Sequence, residues 1–157
     1  MQKITPNLWF DDNAEEAVGF YVSIFKNSKI TRVLRNTESS RGVTGEVVTI
    51  EFQLEGQRFV AINGGPNFKF TPAVSLAVDC EDQAEVDNLW DKLTQGGQEQ
   101  QCGWLVDKYG LSWQVIPTGL VDLLSGPDER GADRAVQCML GMVKLDIAEI
   151  RRAYEGD

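Results

Sequence analysis

None of the 157 residues in this chain is histidine, which removes imidazole from any chemistry it could do. Without imidazole there is no Ser-His-Asp or Cys-His relay and no imidazole-ligated metal ion. The thiol with the most chemical interest is Cys102, in the run Gln101-Cys102-Gly103-Trp104. A nucleophilic or redox cysteine needs a base or cation nearby to hold its thiolate, and none adjoins it in sequence, so an ordinary thiol is the expectation. Asp79, Glu81 and Asp82 form an acidic run that suggests proton transfer. Asp82 is better used as a helix cap and Glu81 as a solvated loop residue, which leaves Asp79 as the candidate base. Among the tryptophans, Trp90 and Trp113 fall on core periodicities, whereas Trp9 and Trp104 are candidates to stack on a flat ligand. Phe68 and Phe70 alternate in a connector, where they either close over a bound molecule or anchor the connector itself. Asn63-Gly64-Gly65 reads as a tight turn that requires positive φ, with close approach to a ligand as the other reading.

Two amphipathic helices must position these groups. The first begins at Asn13, with Glu16 in capping-box position and a stripe of Ala17, Phe20, Tyr21 and Ile24. The second begins at Asp82, with Glu85 in the same position and a stripe of Val86, Leu89, Trp90 and Leu93. Each member of the first set precedes its counterpart by 69 positions (13 and 82, 16 and 85, 17 and 86, 20 and 89, 21 and 90, 24 and 93). The flanks repeat as well. Strand-like residues 4–10 precede helix one and 73–79 precede helix two. Ile30–Arg35, Val47–Leu54 and Gln57–Asn63 follow the first, with a polar loop at 36–45 and a turn at Glu55-Gly56. Glu99–Asp107 and Leu111–Ile116 follow the second, separated by a turn at Lys108 to Gly110. A sheet with one helix on one face leaves its other face open, so two copies have a reason to associate around a shared cleft.

Bulk composition narrows the partners. A net charge of −9 repels phosphate backbones and anionic lipid, and no Lys/Arg cluster offsets it. Nucleic acid and membrane are therefore not expected partners, and nothing in the sequence reads as a signal peptide or a membrane span, which points to the cytoplasm. Cys80, Cys102 and Cys138 are widely spaced and odd in number, and so are expected to be reduced.

The runs ITPNLWFDDNAEEAVGFY and INGGPNFKFTPAVSLAVDCEDQAEVDNLWDKLTQGGQEQQCGWLVDKYGLSWQVIP resemble the PhnB-like, 3-demethylubiquinone methyltransferase-like branch of the vicinal oxygen chelate superfamily. That superfamily includes glyoxalase I, bleomycin-resistance proteins and extradiol dioxygenases. The resemblance implies an α+β fold of two fused βαβββ modules, a curved mixed sheet around a cleft. The modules are expected at 1–65 and 73–117, with a connector at 66–72 and a C-terminal helical extension at 118–157. Metal-using members place four ligands on inward-facing strand positions. Strand alternation assigns Trp113, Val115, Val74, Leu76, Val78, Leu8 and Phe10 to the helix side. The corresponding ligand positions here are then Thr5, either Ala61 or Asn63, Ala73 and Gln114. Gln114 stands where a glutamate would be expected, and Ser112, Ile116, Ser75, Ala77, Asp79, Asn7 and Trp9 share the cleft side. Neutral oxygens do not repay the dehydration of a first-row divalent ion, so no metal and no cofactor are expected. The methyltransferase label is tested by its glycines. The cluster in INGGPNF precedes Pro66 rather than a helix, which is not an S-adenosylmethionine site of Rossmann type.

The reading that follows is a small-molecule binding protein with no assigned catalytic residue. Its ligand-binding candidates are Thr5, Asn7, Trp9, Asn63, Phe68, Ser75, Asp79, Cys102, Trp104 and Gln114. The alternatives are an enzyme of the lyase, isomerase or dioxygenase type, reacting through Asp79, Cys102 or an unforeseen metal, and a structural dimer module with a vestigial cleft. Residues 118–157 read as three helical pieces broken at Gly126-Pro127 and Gly141. Leu120, Leu123, Leu124, Val136, Met139, Leu140, Met142, Leu145 and Ile150 offer more apolar surface than a short tail needs, so a homodimer packed through this tail is expected.

Overall fold

Alternation of buried and half-exposed residues along Val47–Leu54 is the signature of a strand with one covered face, and Ile50, Phe52 and Leu54 are 2%, 1% and 6% exposed. In a computed structural model that describes residues 1–157, this strand is β3 of the first of two units, Met1–Phe70. The unit runs β1 (Asn7–Phe10), α1 (Ala14–Ile24), β2 (Lys29–Arg35), β3 (Val47–Leu54) and β4 (Gln57–Asn63). Its sheet has the order β1-β4-β3-β2, parallel between β1 and β4 and antiparallel elsewhere. The β3–β4 hairpin closes on Glu55 (φ 49) and Gly56 (φ 79), the two left-handed positions a two-residue turn needs to match strand twist. Leu8, Phe10, Ile50, Phe52, Phe59 and Ala61 are buried with Ala14, Ala17, Val18, Tyr21 and Ile24 of α1. Phe20, expected in the α1 stripe, is only half-buried, and Val18 at 0% exposure takes its place.

Unit two, Thr71–Asp157, repeats the plan as β5 (Ser75–Cys80), α2 (Gln83–Thr94), β6 (Gln98–Glu99), β7 (Trp104–Val106) and β8 (Ser112–Pro117). The order β5-β8-β7-β6 is that of the first sheet, and β5 lies parallel to β8. The 69-residue helix offset becomes 70 in the strands, where buried Phe10 corresponds to buried Cys80. The strand-to-helix turn holds Asp11 and Asp12 in one copy and Glu81 alone in the other. Glu99–Asp107, expected as one strand, is broken by a turn at 100–103 into β6 and β7. Val74, expected against the helix, is 69% exposed because it precedes β5 rather than lying in it.

The caps differ between copies. Asp82 accepts from the Glu85 amide at 2.8 Å, as the cap of a capping box does, while Glu85 accepts at 2.7 Å from the amide of Glu81, one residue before the cap, rather than from that of Asp82 itself. Asn13 makes no side-chain cap bond. The first amide of α1, on Ala14, instead donates to Asn63 Oδ1 at 2.9 Å.

The extension folds as α3 (Leu120–Leu124), α4 (Glu129–Leu140) and α5 (Ile147–Glu155). Leu120, Ala135, Leu145 and Ile150 form its core, joined by Leu123, Leu124, Met139 and Met142. Much of the tail's apolar surface is thus consumed within the unit, while Leu140 stays 56% exposed. Gln83 of α2 stitches the tail on by donating to Leu145 O at 2.9 Å and accepting from the Ile147 amide at 3.1 Å. Lys144 pairs with Asp87 at 2.9 Å. The amides of Cys102 and Gly103 donate to Met142 O and Val143 O at 2.9 and 2.8 Å. No helix is long and apolar enough to cross a membrane.

Candidate functional site

In the second sheet, Leu105, Trp113 and Val115 are 0%, 2% and 0% exposed and form the helix side. Residues of opposite parity form the other face. Strand register aligns Ala77, Gln114 and Trp104 in one row and Ser75, Ser112 and Val106 in the next. The Gln114 amide, Nε2, donates to Ser75 Oγ at 2.9 Å. Ser75 accepts that bond and so keeps its own proton to donate elsewhere, while Gln114 Oε1 remains an acceptor. Beside them Ser112 is 1% exposed, and its Oγ is the one buried side-chain nitrogen or oxygen in the chain with no hydrogen-bond partner. An unpaired buried hydroxyl costs about 1–3 kcal/mol, so Ser112 is the least satisfied polar group beside the Ser75–Gln114 pair.

This row is held from behind by Asp107, which follows directly on the end of β7. Its buried carboxylate accepts from the amides of Tyr109 at 2.8 Å and Leu111 at 3.1 Å, and from Trp113 Nε1 at 2.8 Å. Clamping the Trp113 indole orients β8, and through it Ser112 and Gln114 on the opposite face. An aspartate three residues before Gly110 is a turn signal, but nothing in the sequence ties it to Trp113.

Asp79 is exposed and lines a depression of about 250 Å³ with Ile116 to Asp122. Its neighbour Cys80 is buried, and that burial, followed by the negative charges of Glu85, Asp79 and Asp82, pushes the thiol up to about 12. Cys102 sits at φ 59 in the 100–103 turn, with Sγ 3.6 Å from Met139 O. The thiol is turned toward the extension rather than toward Gln114. Ser75, Trp104 and Gln114 are therefore brought together on one face, whereas Cys102 stands apart from them.

In the first unit, the expected residues scatter. Asn63 pairs in register with Phe10, and Ala61 with Leu8, so both belong to the helix side and neither alternative for the fourth ligand position reaches the open face. The Asn63 side chain is spent on α1 and β3: besides capping Ala14, its Nδ2 donates to Glu15 Oε1 at 2.7 Å and Val47 O at 3.0 Å. Trp9 donates to Gly65 O at 2.9 Å and meets Phe68 edge-on with centroids 5.0 Å apart. A Cβ on Gly64 would lie 2.2 Å from the Trp9 ring, and Gly65 has φ 94. The two glycines thus serve one as a close approach and the other as a left-handed turn, with the indole as the thing approached. Asn7 is exposed and donates to Thr5 O at 2.9 Å. Thr5 lines a depression of about 260 Å³.

Ser75, Ser112 and Gln114 supply neutral oxygens only, a donor set that does not suit a first-row divalent ion. No three His, Cys, Asp or Glu side chains converge elsewhere.

The family model described as 3-demethylubiquinone-9 3-methyltransferase matches residues 2–116 and ends short of α3. A Bacillus cereus PhnB protein carrying the same description is 42% identical, with a TM-score of 0.69 over 74% of this chain and 100% of that one. A Pseudomonas aeruginosa protein at 19% identity shares the fold (TM-score 0.64, 74% and 98% covered). So does the Listeria monocytogenes fosfomycin resistance protein FosX, solved with Mn(II) and sulfate, at 15% identity (TM-score 0.53, 73% and 92% covered). No curated protein matches the chain.

Proposed function

We propose that this chain, which belongs to the PhnB-like 3-demethylubiquinone-9 3-methyltransferase family of the vicinal oxygen chelate superfamily, binds a small molecule on the open face of its second sheet. Ser75, Ser112 and Gln114 would hold the ligand by neutral hydrogen bonds, with Trp104 as a flat wall beside Gln114. The observation that carries this reading is the buried, unpartnered hydroxyl of Ser112 beside the Ser75–Gln114 pair. A buried polar atom left open is a cost in the free protein that a bound partner removes. The set offers a donor at Ser75, an acceptor at Gln114 and either at Ser112. It orients a ligand and contains no group that titrates near neutrality, so binding rather than proton transfer is what it supplies.

Methyl transfer is not part of this reading. Both strand-to-helix turns, Asp11-Asp12-Asn13 and Glu81-Asp82, are acidic rather than glycine-rich, whereas a nucleotide-type cofactor is cradled by a glycine turn at a helix start. The tail's exposed Leu140 and Val121 support a homodimer as the assembly state.

Native mass spectrometry of protein purified without chelator tests the reading in one spectrum. The expected species is a metal-free dimer that retains a small organic molecule in the wild type and loses it in Gln114→Ala. One divalent ion per chain, or retention unchanged in Gln114→Ala, overturns it.

A further inference from the structure

We infer that the first unit carries a carboxylate-binding depression at the position its duplicate uses for Ser75, Ser112 and Gln114. Register fixes the correspondence. Asn7 pairs with Val60 as Ala77 pairs with Gln114, and Glu51 pairs with Val60 as Trp104 pairs with Gln114. Stepping two residues back along each strand makes Thr5 the counterpart of Ser75 and Arg58 the counterpart of Ser112. The depression of about 260 Å³ is lined by Thr5, Arg32, Glu51, Gln53, Arg58 and Val60. One topological position thus holds neutral groups in one copy and charged groups in the other.

The charge balance names the ligand class. Arg32 Nε lies 3.0 Å from Glu51 Oε2, so one guanidinium is already matched by one carboxylate. Arg58 has no carboxylate partner, although the whole chain carries a charge of −9. Its side chain donates to Gln2 O, which uses one of five N–H donors. Gln2 also brackets the Arg58 main chain, accepting from its amide and donating to its carbonyl, both at 3.0 Å. The guanidinium is therefore held in place with most of its fork free, in a depression that Thr5 and Gln53 also line. A planar fork matches a carboxylate with two parallel bonds. Only one positive charge is uncompensated, and Glu51 lines the same wall, so a singly charged group fits where a phosphate dianion would meet repulsion. Val60 supplies an apolar contact for the carbon skeleton.

Titrating the full chain with benzoate, benzamide and inorganic phosphate, followed by amide and arginine side-chain NMR, tests the assignment. Benzoate is expected to give saturating shifts at Arg58 and Val60, with benzamide and phosphate each at least about tenfold weaker. Arg58→Gln should weaken benzoate at least about tenfold, and Glu51→Gln should strengthen it by freeing Arg32. Equal binding of benzoate and benzamide, no saturation with benzoate, tighter binding of phosphate, or indifference to Arg58→Gln would each overturn the assignment. Neither variant touches the second sheet, so the result is independent of the small-molecule reading there.

Discussion

Replacing Ser112 with alanine should stabilise the ligand-free protein. Its side chain is 1% exposed and Oγ has no partner, so the folded state carries the desolvation of a hydroxyl with nothing in return, about 1–3 kcal/mol. Removing the oxygen leaves a void on the order of 10–15 Å³, which at about 24 cal/mol per Å³ costs about 0.3 kcal/mol. The net expectation is a gain of about 0.7–2.7 kcal/mol, or roughly 1–11 °C in Tm for a chain of this size. Urea unfolding followed by tryptophan fluorescence reads the difference directly, because buried Trp90 and Trp113 report on the same unit. The same variant should retain less small molecule in native mass spectra. Most stabilising substitutions leave binding alone, so gain and loss together would identify a site kept at a cost to stability. A Ser112→Ala protein less stable than wild type by more than about 0.5 kcal/mol would refute the reasoning, since the hydroxyl would then have a partner in solution.

Asn63→Ala should cost about 2–3 kcal/mol in urea unfolding, since it removes the acceptor for the first amide of α1 and two donor bonds, to Glu15 and Val47. Unchanged stability would return Asn63 to the list of ligand residues. Asp107→Ala strands three donors, those of Tyr109, Leu111 and Trp113. It should cost about 3–5 kcal/mol by thermal unfolding, with Asp107→Asn milder. At high pH the buried Cys80 thiol, pushed up from near 9 to about 12, keeps a proton that the unfolded chain releases. Its contribution is complete below the ordinary thiol value and is lost as pH rises toward the folded one. The urea midpoint should therefore fall more steeply between about pH 8 and about pH 10.5 in wild type than in Cys80→Ala, and parallel slopes would sink this assignment.

Legibility was greatest where one periodicity decides the outcome. The stripe of Val86, Leu89, Trp90 and Leu93, capped by Asp82, is the observed α2. Its 69-residue echo in Ala17, Tyr21 and Ile24 matches α1, and the shared strand order of the two sheets completes the duplication. The resemblance to PhnB-like chains rests on those same segments, within residues 2–116. Where parity decides a face, a single error inverts it. Ala61 and Asn63 were assigned to the open face, but their register with Leu8 and Phe10 puts them on the helix side. Asn13 looked like the cap of α1, yet the acceptor comes from Asn63, 49 residues from Ala14 in sequence.

What the sequence determined by itself is what local rules carry: two amphipathic helices, one of them capped by its own Asp82, alternating strands, a duplicated module, the absence of histidine and a helical tail broken at its glycines. These depend on spacing within a few residues, where propensity and burial act on neighbours. Tertiary structure alone decided which polar groups are satisfied. Asp107 finds Trp113, Gln114 finds Ser75, Arg32 finds Glu51, and the Ser112 hydroxyl finds nothing. Hydrogen bonds and ion pairs reach only about 3–4 Å, so they are set by strand register and loop closure across long stretches of chain, and no local pattern records them.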